Sequence, residues 1–215
     1  MSFQTNWGYT LTQANSLSDF LTVAEFDAFT NNKFHGDARI EPNIHSATRA
    51  IQNYCSWHVY PNVECEMVYL IADLRDARIG PDILIQLPSR FVSSISSVIL
   101  NAKKNGDEWE GIETTDYSLD STGLLKLFDV GCFDRRAQIR IVFNSGLNEG
   151  QMNALKELVA HRVVHAVSSS YGITSESAGG VSVTYNASWA GNTRSTALPD
   201  DNKEVLSPYV VKGVF

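Results

Sequence analysis

Apolar positions along this chain recur first at helical spacing, then at alternate residues, and then at helical spacing again. The opening residues are rich in Ser, Thr, Asn and Gln and read as a poorly determined lead-in. Thr22, with Glu25 three positions on, forms a capping box ahead of Phe26 and Phe29 and predicts a short first helix. Glu41-Pro42 predicts the start of a second helix, with Pro42 at the first position, where its missing donor costs nothing. Ile44, Ala47, Ile51, Tyr54 and Cys55 then fall on one face, together with Thr48.

From residue 63 the period is two. Val63, Cys65, Met67, Tyr69 and Ile71 alternate with Glu64, Glu66 and Val68, the pattern of a half-buried strand. Further strands are expected at 82–87, 92–100, 117–120, 124–128 and 137–143, with turns at Asn105-Gly106-Asp107 and Ser121-Thr122-Gly123. Asn148 followed by Gln151 predicts the cap of a long helix, whose stripe is Met152, Leu155, Val159, Val163 and Ala166, with Gly172 just past its end. Val181, Val183 and Tyr185 alternate with Ser182 and Thr184, a single late strand. No helical stripe follows it, and the chain ends on apolar residues that need a surface to cover them.

These elements predict an α+β fold: a small helical bundle of two N-terminal helices plus one long helix, an inserted antiparallel β domain and an extended C-terminal arm. The corresponding segments are 1–62, 63–146, 147–186 and 187–215.

Composition narrows the function. Of 215 residues, 17 are Lys or Arg and 24 are Asp or Glu, a net charge of −7, with a pI near 5.2. That excess argues against a protein whose task is gripping phosphates, because such binding uses clustered Lys and Arg. The opening residues show no signal-peptide pattern, and nowhere do about 18 apolar residues run together, so a soluble, intracellular chain without a membrane span is expected. Cys55, Cys65 and Cys132 are odd in number and lack paired spacing, which reads as free thiols.

Three patterns invite a chemical reading. His161 and His165 stand four apart on the long helix, a spacing used by metal sites, but Arg162 follows the first histidine where zinc sites of this kind carry Glu. A polar, subunit-facing stripe is the plainer reading. The run Ser175-Glu176-Ser177-Ala178-Gly179-Gly180 places a serine beside glycines, yet it runs from helix to strand and all five histidines precede it. It is expected to be a flexible turn. Asp73, Asp76 and Asp82, interleaved with Arg75 and Arg78, lack the calcium-loop pattern and read as a solvated connection. No catalytic set, cofactor or metal is expected.

The order of elements resembles that of the head–tail connector (adaptor) proteins of tailed double-stranded DNA bacteriophages. The resemblance rests on two blocks. The first is Leu21-Thr22-Val23-Ala24-Glu25-Phe26 with residues 44–57. The second is Ile141-Val142-Phe143-Asn144-Ser145-Gly146 and its following helix, then Ser175-Glu176-Ser177 and Val181-Ser182-Val183-Thr184-Tyr185. Many members are about half this length and mostly helical, so residues 63–144 depart from the common pattern as an insertion.

The resemblance implies a structural, non-enzymatic virion protein, assembled in the bacterial host cytoplasm. It would form a ring, typically of twelve copies, dock on the portal protein and support a downstream neck or tail component. Double-stranded DNA would pass through the lumen without specific binding, and the acid excess would keep it from sticking. Tyr209, Val210, Val211, Val214 and Phe215 are then the expected docking anchors, and Val181, Val183 and Tyr185 the expected ring-contact strand. A tail-completion or stopper protein is a neighbouring reading. From another class, a carbohydrate-binding module or small hydrolase on the β domain would use Trp109 and Tyr117 as a stacking face.

Overall fold

The computed structural model describes residues 3–5, 7–12, 17–70, 78–79, 82–103, 109–113, 115–128, 137–168, 175–178, 181–184 and 200–211. The chain divides into two compact units, and each draws on separated parts of the sequence. One comprises residues 1–18, 56–148 and 209–215; the other comprises 19–55 and 149–208. The four consecutive segments expected from the sequence are therefore regrouped. The lead-in belongs to the β-rich unit, and the helices come from either side of it.

The β-rich unit holds two antiparallel sheets. The larger runs in spatial order β1 (Phe3–Gln4), β2 (Thr10–Leu11), β3 (Val63–Leu70), β10 (Gln138–Ser145), β6 (Val92–Lys103) and β7 (Trp109–Glu113). The smaller is β4 (Arg78–Ile79), β5 (Asp82–Gln86), β9 (Leu124–Leu127) and β8 (Tyr117–Leu119). Strand β10 shows why the alternation holds. Ile139, Ile141 and Phe143 are fully buried, while Gln138, Arg140, Val142 and Asn144 between them are half-buried on the opposite face.

The two sheets bury their inner faces in one core. Cys65, Val98, Leu100, Ile139, Ile141 and Phe143 of the larger sheet share it with Ile83, Ile85, Leu125 and Leu127 of the smaller. Tyr9 and Leu11 also enter that core, so the polar lead-in is structured. Its two-residue strands are too short for periodicity to reveal, and pairing of Leu11 with Cys65 fixes them. On the outer face the Arg140 guanidinium donates to both oxygens of the Glu66 carboxylate, at 2.8 and 2.9 Å.

In the helical unit α1 spans Val23–Phe29, and its capping box forms as the sequence implies. The Glu25 amide donates to Thr22 Oγ1 (3.2 Å) while the Thr22 amide donates to Glu25 Oε2 (2.8 Å). Helix α2 spans Ile40–Cys55 and buries Ile44, Ala47, Thr48, Ile51 and Cys55. It begins two residues before the expected point, so Pro42 is its third residue. That position is still within the first turn, whose amides have no intrahelical acceptor, so the proline is tolerated. Helix α3 spans Asn153–Ser168, after a short 3₁₀ turn at Glu149–Gln151. The expected Asn148 cap is replaced by Met152, whose carbonyl accepts the first helical bond from the Lys156 amide (2.8 Å).

Helix α3 buries Leu155, Leu158, Val159, Ala160, Val163 and Val167, a wider band than the expected stripe, and Ala166 is only half-buried. It packs along α2. Arg39, just ahead of α2, donates to the Val167 carbonyl (3.0 Å), which places a cation at the C-terminal end of α3. Lys156 joins both Glu25 and Glu149, tying α3 to α1, and this contact holds the Glu25 carboxyl below its ordinary range.

The tail corrects the expected extended arm. Residues Asp200–Leu206 form α4, followed by a 3₁₀ turn at Ser207–Tyr209, and Leu206 is fully buried. The missed signal is Pro199-Asp200-Asp201, a proline followed by acidic residues that favour a helix start.

Gly146 marks the tightest backbone approach. Its φ is +129°, and a Cβ there would stand 2.2 Å from the Pro61 carbonyl oxygen. Gly146→Ala should lower stability by about 3 kcal/mol or more, because only backbone could move to make room. Gly36 (φ +81°) has nothing within 4 Å of an added Cβ, so Gly36→Ala should cost only about 1–2 kcal/mol of backbone conformation. Urea unfolding of both variants checks this; equal losses would remove the steric account of Gly146.

Candidate functional site

The candidate anchors divide. Tyr209, Val210 and Val211 are half-buried, and the first two are engaged within their own chain; Val214 and Phe215 lie outside the described residues. The receiving surface follows α2 and precedes β6. Trp57, fully buried, donates its indole N–H to the Tyr209 carbonyl at 2.6 Å. Its ring stacks on Phe91, with centroids 6.0 Å apart, and Phe91 in turn meets the Tyr209 ring at 5.9 Å. Arg90 Nη1 donates to the Val210 carbonyl at 3.3 Å. An aromatic stack and two bonds to backbone carbonyls thus hold the chain where it was expected to extend away.

Beside this surface lies a buried polar knot. His58 is fully buried, with Nε2 3.1 Å from the Pro61 carbonyl and 2.9 Å from the Ser145 carbonyl. Both partners only accept, so Nε2 carries the hydrogen and Nδ1 presents a lone pair. The Tyr9 hydroxyl donates to that lone pair at 2.7 Å and accepts from the His58 backbone amide at 3.0 Å. Burial pushes the imidazole pKa down to about 4 and the Tyr9 phenol well above its ordinary value. The Ser89 and Ser145 hydroxyls, also buried, bond to each other alongside. The knot unites the lead-in, the connector into β3 and the end of β10. Sequence inspection passed over it because His58 and Tyr9 are 49 residues apart.

The expected ring-contact strand is not single. Strand β11 (Ser175–Ala178) pairs antiparallel with β12 (Val181–Thr184), with Glu176 opposite Val183 and Ala178 opposite Val181. The Ser-Glu-Ser-Ala run expected as a flexible turn is thus a strand; Gly179, Gly180 and Tyr185 lie outside the described residues. Main-chain pairing with β12 supplies the order that this polar run could not announce by itself.

The remaining candidates separate. His161 is exposed, lies edge-on to Phe29 at 5.4 Å and stands 3.6 Å from Glu157; His165 is half-buried. Arg162 between them is half-buried, and its Nη1 meets no acceptor. Among the described residues no group of three or more His, Cys, Asp or Glu is placed to hold a metal ion. Asp82 forms an ion pair with Lys126 at 2.9 Å across the smaller sheet, which corrects its reading as part of a solvated connection; Asp73 and Asp76 lie outside the described residues. Tyr117 packs half-buried against the sandwich core, and Trp109 pairs through its backbone with Lys103.

Cys55 and Cys65 are buried free thiols pushed up to about 12 by burial, and Cys132 lies outside the described residues. Among the described residues no helix is long and apolar enough to cross a membrane. No family model matches the chain, and no curated protein matches it.

The knot makes stability depend on pH with a definite sign. His58 holds its proton less readily folded (about 4) than in an unfolded chain (about 6.5), so between those values the unfolded state binds more protons. The contribution is complete above pH 6.5 and is lost as the pH falls toward 4. From pH 7 to 4.5 it amounts to about 2–3 kcal/mol. Urea unfolding of the wild type and His58→Asn at the two pH values measures it. The variant should be weaker at pH 7 and should lose that much less stability on acidification; equal slopes would exclude His58 as the source.

Proposed function

We propose that this chain is a head–tail connector of a tailed bacteriophage: a ring-forming, non-enzymatic neck protein, with about twelve copies joining the portal to the next neck or tail component. One observation carries the reading. Helices α1 and α2 from one side of the β insertion and α3 from the other belong to one unit, with the β11–β12 hairpin directly after α3. That is the element order on which the resemblance rests, with a β sandwich carried as an insertion. In this reading the sandwich faces the neck's other components, and the protein resides in the virion after assembly in the host cytoplasm.

The chain's −7 charge suits a conduit. DNA carries about one charge per 1.7 Å of duplex, so a wall of the same sign lets it slide where a basic wall would hold it. Portal docking falls to the end of the tail. Because Tyr209 and Val210 are held by Trp57 and Arg90, the docking role in this reading rests on the other expected anchors, Val211, Val214 and Phe215.

The test is docking on the cognate portal, by electron microscopy and by binding. The full chain should appear as a ring stacked coaxially on the portal. Removing residues 212–215 leaves the Trp57 and Arg90 contacts in place, so the unfolding midpoint should stay constant while portal affinity falls by at least about tenfold, or 1.4 kcal/mol. Undiminished affinity would exclude these residues as the anchor. A full chain with no affinity for the portal would exclude the neck reading itself.

A further inference from the structure

Strand β3 is paired unevenly. On one side β10 pairs with all eight of its residues. On the other, β2 covers only its first half: Leu11 pairs with Cys65, Thr10 with Glu66, and the Thr12 amide reaches the Glu64 carbonyl. Residues 67–70 thus have β10 as their one strand neighbour among the described residues. Two of them, Val68 and Leu70, are 49% and 43% exposed, the two most exposed large apolar side chains among the described residues of the β-rich unit. Half an edge strand with open main-chain groups and aliphatic side chains is a ready template for another strand.

The hairpin has the complementary deficit. Among the described residues β11 and β12 form a two-stranded sheet, and such a ribbon is marginal in water without a third strand or a packed face. Its members differ in character. Strand β11 reads Ser-Glu-Ser-Ala, with a charge that discourages edge pairing, whereas β12 reads Val-Ser-Val-Thr, with β-branched residues at three of its four positions. It is also four residues long, matching the open stretch of β3.

We propose that β12 of one copy adds to the open edge of β3, at residues 67–70, in the next copy. The donor is one part of the chain and the acceptor another, so the contact is heterologous and repeats from copy to copy, closing into a ring where the rotation permits. Main-chain bonds supply the adhesion, and Val181 and Val183 beside Val68 and Leu70 set the register. This deepens the ring element of the proposed function, with a second copy of this chain as the partner.

Two variants test it, each spoiling one half. Val68→Lys with Leu70→Lys puts charges on the acceptor edge, at exposed positions where the fold should be undisturbed. Val181→Lys with Val183→Lys does the same to the donor strand. Light scattering of the purified full chain at millimolar concentration should show wild-type oligomers, and each variant should be monomeric, with the unfolding midpoint of the wild type diluted to its monomer. Mixing the two variants should restore association only as far as dimers, since the mixed pair holds one intact edge and one intact hairpin.

A monomeric wild type, variants that assemble as the wild type does, or a mixture that stays monomeric would each overturn the proposal. Portal binding of the same samples separates the two ideas. A monomeric wild type that still docks on the portal would sink this contact and leave the neck reading, whereas oligomers without portal affinity would do the reverse.

Discussion

The backbone at residues 145–147 lies directly against that of residues 58–61, and the β-rich unit is closed by this contact. The Leu147 amide donates to the Val59 carbonyl at 2.8 Å, the His58 ring to the carbonyls of Ser145 and Pro61, and the Gly146 amide to the Phe91 carbonyl at 3.1 Å. Val59 is fully buried with φ +63°, a conformation that a β-branched residue adopts only when its surroundings dictate it. Only glycine at 146 admits the close approach. Here the chain enters β3 and leaves β10, so the part of the sandwich inserted between α2 and α3 begins and ends at one point. A segment whose ends meet can be carried between two helices without forcing those helices apart.

That closure explains how two units come from an interleaved sequence. Helices α2 and α3 pack together although the whole sandwich separates them in the chain. Their own contacts are local to the helical unit: the Arg39 guanidinium on the end of α3, Lys156 between Glu25 and Glu149, and the Phe20 amide on Thr48 Oγ1 at 3.1 Å. The sandwich core is built from the alternating residues of its strands, and the two described cysteines, Cys55 and Cys65, are free thiols.

What the sequence disclosed follows from the range of the forces involved. The Thr22–Glu25 box, the α2 face and the alternation of β3 and β10 are set by residues within a few positions of each other, and they are legible. The Asp120-Ser-Thr-Gly turn is too, because the Asp120 carboxylate accepts from the Thr122 and Leu124 amides and Gly123 sits at φ +82°. Helix starts were displaced at Pro42 and Asn148, where several residues can fill the same capping role. Pairings over long separations left no trace: Tyr9 with His58, and Trp57 with Tyr209 across 152 positions; β11 escaped for another reason, since its polar run becomes a strand only through its neighbour β12. Of residues 209–211, the apolar character was legible, but the surface that holds Tyr209 was not, because Trp57 and Phe91 are ordinary core aromatics until the fold stacks them.

The tail's inward anchoring changes what can be asked of it. An apolar terminus wholly free in solution would have to order many residues on binding, at about 1–2 kcal/mol of backbone entropy for each. At Tyr209 and Val210 that cost is already met within the chain, because Trp57 and Arg90 hold their carbonyls. The same contacts give the sandwich a structural use: Trp57 and Phe91 form the seat of Tyr209. An insertion far longer than the helices around it is then understandable in part as the body that seats Tyr209 and Val210.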